Sequence, residues 1–391
     1  MGVDASVLSI KEERGVPELL HQLQQYPHGL ETSISSPSTC RHPAVVVNGV
    51  CYHCRQKIGN EDTYGLEFSY LQMGLKLSHS EINRLRCLES KKQLSQKKLH
   101  LVLDIDGTLV HSFPPGKASK LGLSKNDKNT REIDGWLVKL RPMVLEFLEK
   151  ASAMFEMYLY TLGSRSYANM IAKILDPQGV YFNKRIISSD DNPHGVQSKK
   201  TLDLVLGEES NILILDDNPN VWAKHLRNLI LMKPFVFTGT ETTDEITEMN
   251  TTPILGEILK VLHTIHSLFF QQEVGCRDVR ELAREVRSNV LRGCNLYMKQ
   301  VKDSKLWDVA KALGATCCSE LNSSVTHLVS CKRGTKDYNW GVKNKKFLVR
   351  KRWIEEANYL WQRLPEENYR PSNSRMTCCC LEFFTILISL I

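Results

Sequence analysis

The sequence predicts an α/β protein, with a parallel sheet wrapped by helices and then a second, smaller α/β domain. Three observations carry this. Between residues 99 and 272 short apolar runs alternate with amphipathic helical patterns, the order that builds parallel strands joined by helical crossovers. The alternation resumes on a smaller scale from Val286 to Tyr369. The length of 391 residues suits two or three domains at roughly 100–200 residues each.

Composition sets the outer bounds. Hydrophobic residues make up 42% and charged residues 24%, a globular mixture rather than a disordered one. The longest apolar stretches fall short of the ~20 residues that span a bilayer, which excludes a multi-span transporter. The first thirty residues carry Glu12, Glu13 and Pro17 and no apolar core of a signal peptide. Twelve cysteines without such a signal point to a reducing, intracellular compartment, where thiols bind metal or pack. Net charge is +7, yet residues 332–352 alone hold nine Lys/Arg against one acid, Asp337. Such a cluster favours an anionic partner, a phosphopeptide or nucleic acid; a solvated surface is the plainer account.

Taken in order, residues 1–39 are polar and turn-rich and read as flexible. Residues 40–98 hold a cysteine/histidine cluster and then a charged helical run, Ser80–Lys98. Within the cluster, Cys40-x-His42 and Cys51-x-x-Cys54 offer a Cys₃His set suited to tetrahedral Zn²⁺, against the alternative of unligated thiols in a loop. Residues 99–272 form the main domain, with predicted strands Leu99–Ile105, Phe155–Tyr160, Arg185–Ser188 and Asn211–Leu215. Helices are predicted at Met143–Ala153, Ser164–Leu175 and Lys200–Leu206, the second stopped by Asp176–Pro177 because proline cannot continue the ladder. Pro114–Gly135 reads as an insertion near the mouth of any site, a peptide-guiding flap or a mobile loop. A helical pattern runs from Thr252 to Arg287, with 273–285 as the linker to the second domain at 286–370. Residues 371–391 are a tail in which Cys378–Cys380 precede an apolar run too short to span a membrane. Acylation of those cysteines would anchor it to a surface, but nothing else in the chain requires a membrane.

The chemistry concentrates at the strand ends. The run from Leu99 ends in Asp104-Ile-Asp106-Gly-Thr108, and ligands of an open parallel sheet bind outside the carboxyl ends of its strands. Two carboxyls so placed can divide one reaction. One attacks phosphorus, and the other protonates the leaving alkoxide and then activates water. Their charges and a phosphate's would repel without a cation, and Mg²⁺ suits an all-oxygen site. Alone, the pair reads as capping aspartates. Three further signals follow in order: Thr161 after a strand, Lys200 opening a helix, and Asp216–Asp217 ending a buried strand at the same sheet edge.

This constellation resembles the haloacid dehalogenase superfamily of phosphotransferases. More narrowly, it resembles the RNA polymerase II C-terminal-domain phosphatases, the plant members above all, over roughly Lys98–Gln272. The matching passages are Asp104-Ile-Asp106-Gly-Thr108-Leu-Val-His111-Ser112, Val138-Lys-Leu-Arg141-Pro142, Tyr158-Leu-Tyr-Thr161-Leu-Gly-Ser-Arg165-Ser-Tyr167, Lys200-Thr-Leu-Asp-Leu and Ile214-Leu-Asp216-Asp217-Asn-Pro-Asn-Val-Trp222. The resemblance implies a haloacid-dehalogenase-like, Rossmann-like fold. It also implies Asp104 as the phosphorylated nucleophile and Asp106 as the acid/base that lends its backbone carbonyl to Mg²⁺. Asp217 would be a further metal ligand, supported by Asp216, with Thr161 and Lys200 holding the phosphoryl group. Arg141 and Arg165 would face substrate or back the site, or else pair on the surface. Gly107 departs from the larger residue these phosphatases carry. That leaves catalysis intact as an expectation and substrate choice open.

The second domain resembles a BRCT domain through Val290-Leu-Arg-Gly293-Cys, the helix Leu306–Gly314, Val325-Thr326-His327-Leu-Val and Val349-Arg-Lys-Arg-Trp353. Trp353 reads as a core anchor and Cys317 and Cys318 as inert core thiols. Gly293, Thr326 and Lys332 lie where such domains can hold phosphoserine, which would let the enzyme dock one repeat while cleaving another. The expected function is a nuclear, Mg²⁺-dependent protein-serine phosphatase of the phosphorylated polymerase tail. Transcription factors could dock on the BRCT domain, and no direct sequence-specific nucleic-acid contact is expected. The alternative is a non-catalytic phosphoprotein scaffold acting through the BRCT domain, but a scaffold would be expected to have lost an acid, and none is missing.

Overall fold

The computed structural model describes residues 44–52, 54–58, 65–116, 129–192, 198–236, 253–273, 275–298, 304–330 and 332–371. The expectations for residues 1–39, Cys40, His42, the middle of the Pro114–Gly135 insertion and the tail from 372 fall outside them. The chain divides into two compact units, residues 1–286 and 287–391.

The first unit opens with short strands β1 (Val45–Val47), β2 (Val50–Cys51), β3 (Leu66–Glu67) and β4 (Leu75–Leu77), antiparallel in the order β2-β1-β4-β3. Helix α1 (His79–Ser95) follows, with the Ser78 hydroxyl accepting from the Glu81 N–H at 3.2 Å. Val45, Phe68, Leu75 and Leu77 of this region share a core with Val102, Tyr158, Ile214 and Trp222 of the main sheet. The stretch read from its cysteines is thus also a cover on the main sheet. Cys51 is buried and Cys54 half-buried on the turn closed by Arg55 N–H to the Cys51 carbonyl, 3.0 Å.

Strand β5 (Leu99–Leu103) is buried along its whole length, as the central strand of a parallel sheet must be. A three-stranded antiparallel sheet follows, from β6 (Val110–Phe113), β7 (Thr130–Ile133) and β8 (Trp136–Leu140), in the order β6-β8-β7. Part of the predicted insertion is therefore a strand. Asp134 and Gly135, both at positive φ (49° and 78°), close the β7–β8 hairpin. Next come α2 (Val144–Ser152), β9 (Phe155–Tyr160), α3 (Arg165–Leu175), β10 (Ile186–Ile187), β11 (Ile212–Asp216) and β12 (Leu229–Leu231). The five-stranded sheet runs β10-β9-β5-β11-β12, parallel throughout, so the expected α/β fold is present.

One predicted helix is absent. Lys200–Leu206 is extended chain with a single 3₁₀ turn at Leu202–Leu204. Arg86 of α1 takes the carbonyls of Leu202, Asp203 and Val205 at 2.9–3.3 Å, acceptors that an α-helix would need for its own ladder. The helical stretch after residue 252 is two helices, α4 (Ile254–Gln271) and α5 (Val279–Ser288), interrupted around Gly275. Leu255, Ile258, Leu262, Ile265 and Phe269 bury one face of α4 in the first unit, next to α2.

The second unit has four parallel strands, β13 (Asn295–Tyr297), β14 (Thr316–Cys318), β15 (His327–Val329) and β16 (Phe347–Val349), in the order β14-β13-β15-β16. Helices α6 (Ser304–Ala312), α7 (Lys336–Lys343) and α8 (Arg352–Leu360) complete it. Trp353 is fully buried in this core and its indole N–H donates to the Leu364 carbonyl at 2.8 Å, which bears out the packing role. Cys317 and Cys318 are half-buried rather than buried, and burial pushes the Cys317 thiol up. The Thr326 hydroxyl is engaged inside the sheet, donating to the Asn295 carbonyl at 3.1 Å and accepting its N–H at 2.8 Å. Gly293 and Lys332 are exposed.

Asp176, just past α3, does more than stop a helix. Its carboxylate accepts the backbone N–H groups of Val180, Tyr181 and Phe182 at 2.8–2.9 Å, folding the chain back toward β10. Asp176→Ala should lower unfolding stability by roughly 2–4 kcal/mol, because these donors lose their acceptor. Urea unfolding checks this, and an unmoved midpoint would mean that solvent satisfies the turn.

Candidate active site

The site lies at the carboxyl edge of the main sheet, and the fold puts the predicted residues there for a simple reason. β5, β9 and β11 are parallel neighbours, so the residues that end or follow them, Asp104, Thr161 and Asp216–Asp217, emerge at one edge. Asp104 is tied to β11 by its N–H to the Leu215 carbonyl, 3.0 Å. Lys200 comes from outside the sheet and is positioned by its N–H to the Val221 carbonyl, 2.9 Å.

Lys200 is the hub. Its ammonium lies 2.5 Å from Asp104 Oδ1 and 2.7 Å from Asp216 Oδ2, with its side chain almost wholly buried. Asp216 is engaged at both oxygens: Oδ2 also accepts the Trp222 indole N–H at 2.8 Å, and Oδ1 the Asn218 N–H at 2.8 Å. It therefore serves first to seat Lys200. Burial alone would lower the lysine's pKa, but the Asp104 and Asp216 carboxylates hold it above the ordinary value. Burial raises Asp104, and Lys200 offsets part of that rise. Burial and then the Asp216 charge push Asp217 up to about 7.

Burial raises the two acids, and crowding of three carboxylates around one paired ammonium adds to it while holding the lysine charged. Oxygen atoms of Asp104, Asp216 and Asp217 lie within 4.8 Å of one another. An all-oxygen set, two members buried and Asp217 half-buried, with surplus negative charge fits a hard divalent cation such as Mg²⁺. Gly107 makes room for the Asp217 carboxylate. At φ +78° it occupies the left-handed region, and a Cβ there would come 2.4 Å from Asp217 Oδ2.

Asp106 stands apart from that cluster and is exposed. Its Oδ1 accepts the Tyr167 phenol at 2.6 Å and the Ser112 hydroxyl at 2.7 Å. Those two hydroxyls are themselves 2.7 Å apart. Both contacts fall on Oδ1. Burial, then the neighbouring Asp106 charge, drives the Tyr167 phenol far above its ordinary pKa, so it stays a donor. Trp136 packs on the Tyr167 ring with centroids 5.1 Å apart, so the β7–β8 hairpin backs the same residue. Tyr167 and Ser112 belong to passages read from the sequence, but no role was visible there. Tyr167 one turn into a helix capped by Ser164 was the only hint of a side chain aimed at the sheet edge.

Thr161 is buried, and its Oγ1 accepts the Gly163 N–H at 3.0 Å, leaving its own O–H to donate. Arg141 is not a surface cation. It is buried and donates to the carbonyls of Thr108 (2.9 Å) and Lys233 (2.7 Å), pinning the loop after Asp106. Arg165 pairs with Asp191 and donates to the Ile186 carbonyl at 2.5 Å, a structural assignment rather than a substrate-facing one. Among the described residues, no cysteine or histidine joins Cys51 and Cys54 as a metal cluster; Cys40 and His42 lie outside them.

Comparison with known proteins follows the same lines. Residues 99–267 match the NLI interacting factor-like phosphatase family, and 286–357 match the BRCA1 C Terminus (BRCT) domain. The chain is 39% identical over 380 residues to the RNA polymerase II C-terminal domain phosphatase-like 4 of Arabidopsis thaliana, covering 87% of this chain and 84% of that protein. Against the phosphatase-like 3 protein of that plant, identity is 33% over 73% of this chain and 26% of the relative. A solved structure of Fcp1, described as an essential RNA polymerase II CTD phosphatase, superimposes with TM-score 0.57 at 23% identity, covering 73% of this chain and 99% of that one.

Gly107→Ala should cost about 1–2 kcal/mol for the left-handed backbone and displace Asp217 as well. The rise in thermal midpoint on adding Mg²⁺ should therefore shrink in the variant relative to the parent. An equal rise in both would show that the Asp217 carboxylate does not depend on the glycine.

Proposed function

The chain belongs to the RNA polymerase II C-terminal-domain phosphatase family, and from that premise we propose that it is a Mg²⁺-dependent protein-serine phosphatase. It removes phosphate from the heptad repeats of the polymerase tail through an aspartyl-phosphate on Asp104, and so regulates transcription. The observation that carries this reading is Lys200 held between Asp104 and Asp216, with Asp217 beside them.

Each residue then has a task. An Asp104 carboxylate oxygen forms a bond to phosphorus as the bond from phosphorus to the serine oxygen breaks. Lys200 and the Thr161 hydroxyl hold the phosphoryl oxygens and offset the charge that grows on them. Asp106 gives its proton to the departing serine oxygen, then takes one from the water that attacks phosphorus and frees Asp104. Tyr167 and Ser112 keep Asp106 aimed for both transfers. Asp104, Asp217 and the Asp106 backbone carbonyl would hold Mg²⁺, with Asp216 in support. The ion supplies charge neutralisation that lets a phosphate dianion approach three carboxylates.

The chemistry of the substrate implies the rest of the proposal: a nuclear protein whose BRCT unit docks the phosphorylated tail or transcription factors. The Cys40, His42, Cys51 and Cys54 set remains our candidate for structural Zn²⁺, which metal analysis of the parent and Cys51→Ser would decide.

Asp104→Asn should fold and bind heptad phosphopeptides yet show no detectable turnover with Mg²⁺ present, and the parent should lose turnover when the metal is chelated. Wild-type rates in the variant, read by phosphate release, would remove Asp104 as nucleophile. Peptide binding without any metal-dependent turnover in the parent would favour a phosphoprotein scaffold instead.

Asp106→Asn should separate substrates by leaving group. A phosphoserine peptide, whose alkoxide needs a proton, should slow by about 10²–10⁴-fold, and an activated aryl phosphate much less. Equal losses on both would contradict the acid/base role.

A further inference from the structure

Lys200 opens a stretch of backbone that does not take its shape unaided. Residues 200–206 pattern as a helix, yet only one 3₁₀ turn forms there, at Leu202–Leu204. Side chains from the region ahead of the main sheet replace the helical ladder. Arg86 of α1 donates from Nη2 to the carbonyls of Leu202 (3.1 Å) and Asp203 (2.9 Å), and from Nε to that of Val205 (3.3 Å). The buried Tyr70 hydroxyl takes the remaining carbonyl, Leu204, at 2.7 Å. Every carbonyl from 202 to 205 thus accepts from residue 70 or residue 86. One turn along the same face of α1, the Ser90 hydroxyl accepts the Glu208 N–H at 3.2 Å. Two amides of the stretch are also taken, Thr201 N–H by the Tyr160 hydroxyl and Leu202 N–H by His225 Nε2, both at 3.3 Å.

A planar guanidinium can span several acceptors at once in a fixed geometry, which a single ammonium cannot. Without it, fewer bonds oppose the helical preference of the stretch, and Lys200 at its start would turn with the backbone. The tolerance is small, because the ammonium must stand 2.5 Å from Asp104 Oδ1 and 2.7 Å from Asp216 Oδ2. A shift of about 1 Å in a reacting group, caused from a distance, can slow a reaction roughly 10²-fold. Tyr70 and Arg86 both precede residues 99–267, the part of the chain that matches the phosphatase family.

We propose that Arg86 is a positioning residue for phosphoryl transfer: through the carbonyls of 202–205 it sets where the Lys200 ammonium stands, with Tyr70 in support. The proposal rests on the phosphatase reading of Lys200. It makes α1 and the turn before it part of the working site rather than only a cover on the sheet.

Turnover is measured in the full-length chain with Mg²⁺, on a phosphoserine heptad peptide and on an activated aryl phosphate, well below each variant's thermal midpoint. Arg86→Met keeps an unbranched, helix-favouring side chain and donates nothing. Its kcat should fall by about 10²-fold on both substrates, since Lys200 acts on phosphoryl oxygens that both share. The peptide KM should stay within about twofold of the parent's. Arg86→Lys, with a donor but no fork, should lie between the two. Tyr70→Phe loses one hydroxyl and keeps its ring, so it tests the clamp even where Arg86→Met folds poorly; its kcat should fall by about 3–10-fold.

An arginine that only stabilises the fold would lower the thermal midpoint and leave kcat at the parental value, and parental kcat in both Arg86→Met and Tyr70→Phe overturns the proposal. So does a loss confined to the peptide KM, or one seen with the peptide and not with the aryl phosphate, which would place the defect in docking or in proton transfer. A parent without metal-dependent turnover removes the phosphatase reading and this proposal with it, whereas an active parent with unaffected variants removes the proposal alone.

Discussion

The buried Lys200 ammonium between Asp104 and Asp216 is the constraint around which the first unit is arranged. Charges removed from water need close, well-directed partners, and losing one partner of such a group costs about 3–5 kcal/mol. The surroundings meet that demand. Trp222 and Asn218 fix Asp216, β11 fixes Asp104, and Arg86 of α1 keeps the chain after Lys200 from closing into a helix. Tyr160 and Trp222 rings each lie 5.7 Å from the ammonium and complete its enclosure. A lysine so placed cannot wander, and the phosphate oxygen it would meet has a fixed target.

The same arrangement separates the two aspartates of the opening motif. Asp104 lies buried among carboxylates and a lysine, whereas Asp106 is exposed and accepts from the Tyr167 and Ser112 hydroxyls. Two carboxyls two residues apart thus acquire different environments, as the proposed division into nucleophile and proton carrier requires. The antiparallel β6-β8-β7 sheet contributes by delivering Ser112 and by backing Tyr167 with Trp136.

Much of this was legible in the sequence, because strand-end chemistry is local. An apolar run followed at once by Asp104, by Thr161 or by Asp216–Asp217 announces both the strand and the side of the sheet its polar residue occupies. Lys200 was legible as a residue but not as a conformation, since the partner that melts its helix, Arg86, lies over a hundred residues earlier. The strands of residues 45–77 are two or three residues long, too short for alternation to register. The β7–β8 hairpin was a different matter: Asp134-Gly135 between alternating residues is a turn signal, and reading the stretch only as an insertion passed over it. Tyr167 illustrates the limit, because no pattern along one helix tells which aspartate a phenol across the site will meet.

The most direct test of the central claim is acid-quench mass spectrometry during turnover of a phosphoserine heptad peptide with Mg²⁺. The account predicts one phosphoryl group, labile to hydroxylamine, on the proteolytic fragment that contains Asp104 and on no other. Rapid turnover with no phosphorylated fragment, or with the phosphoryl group on a different residue, would contradict it.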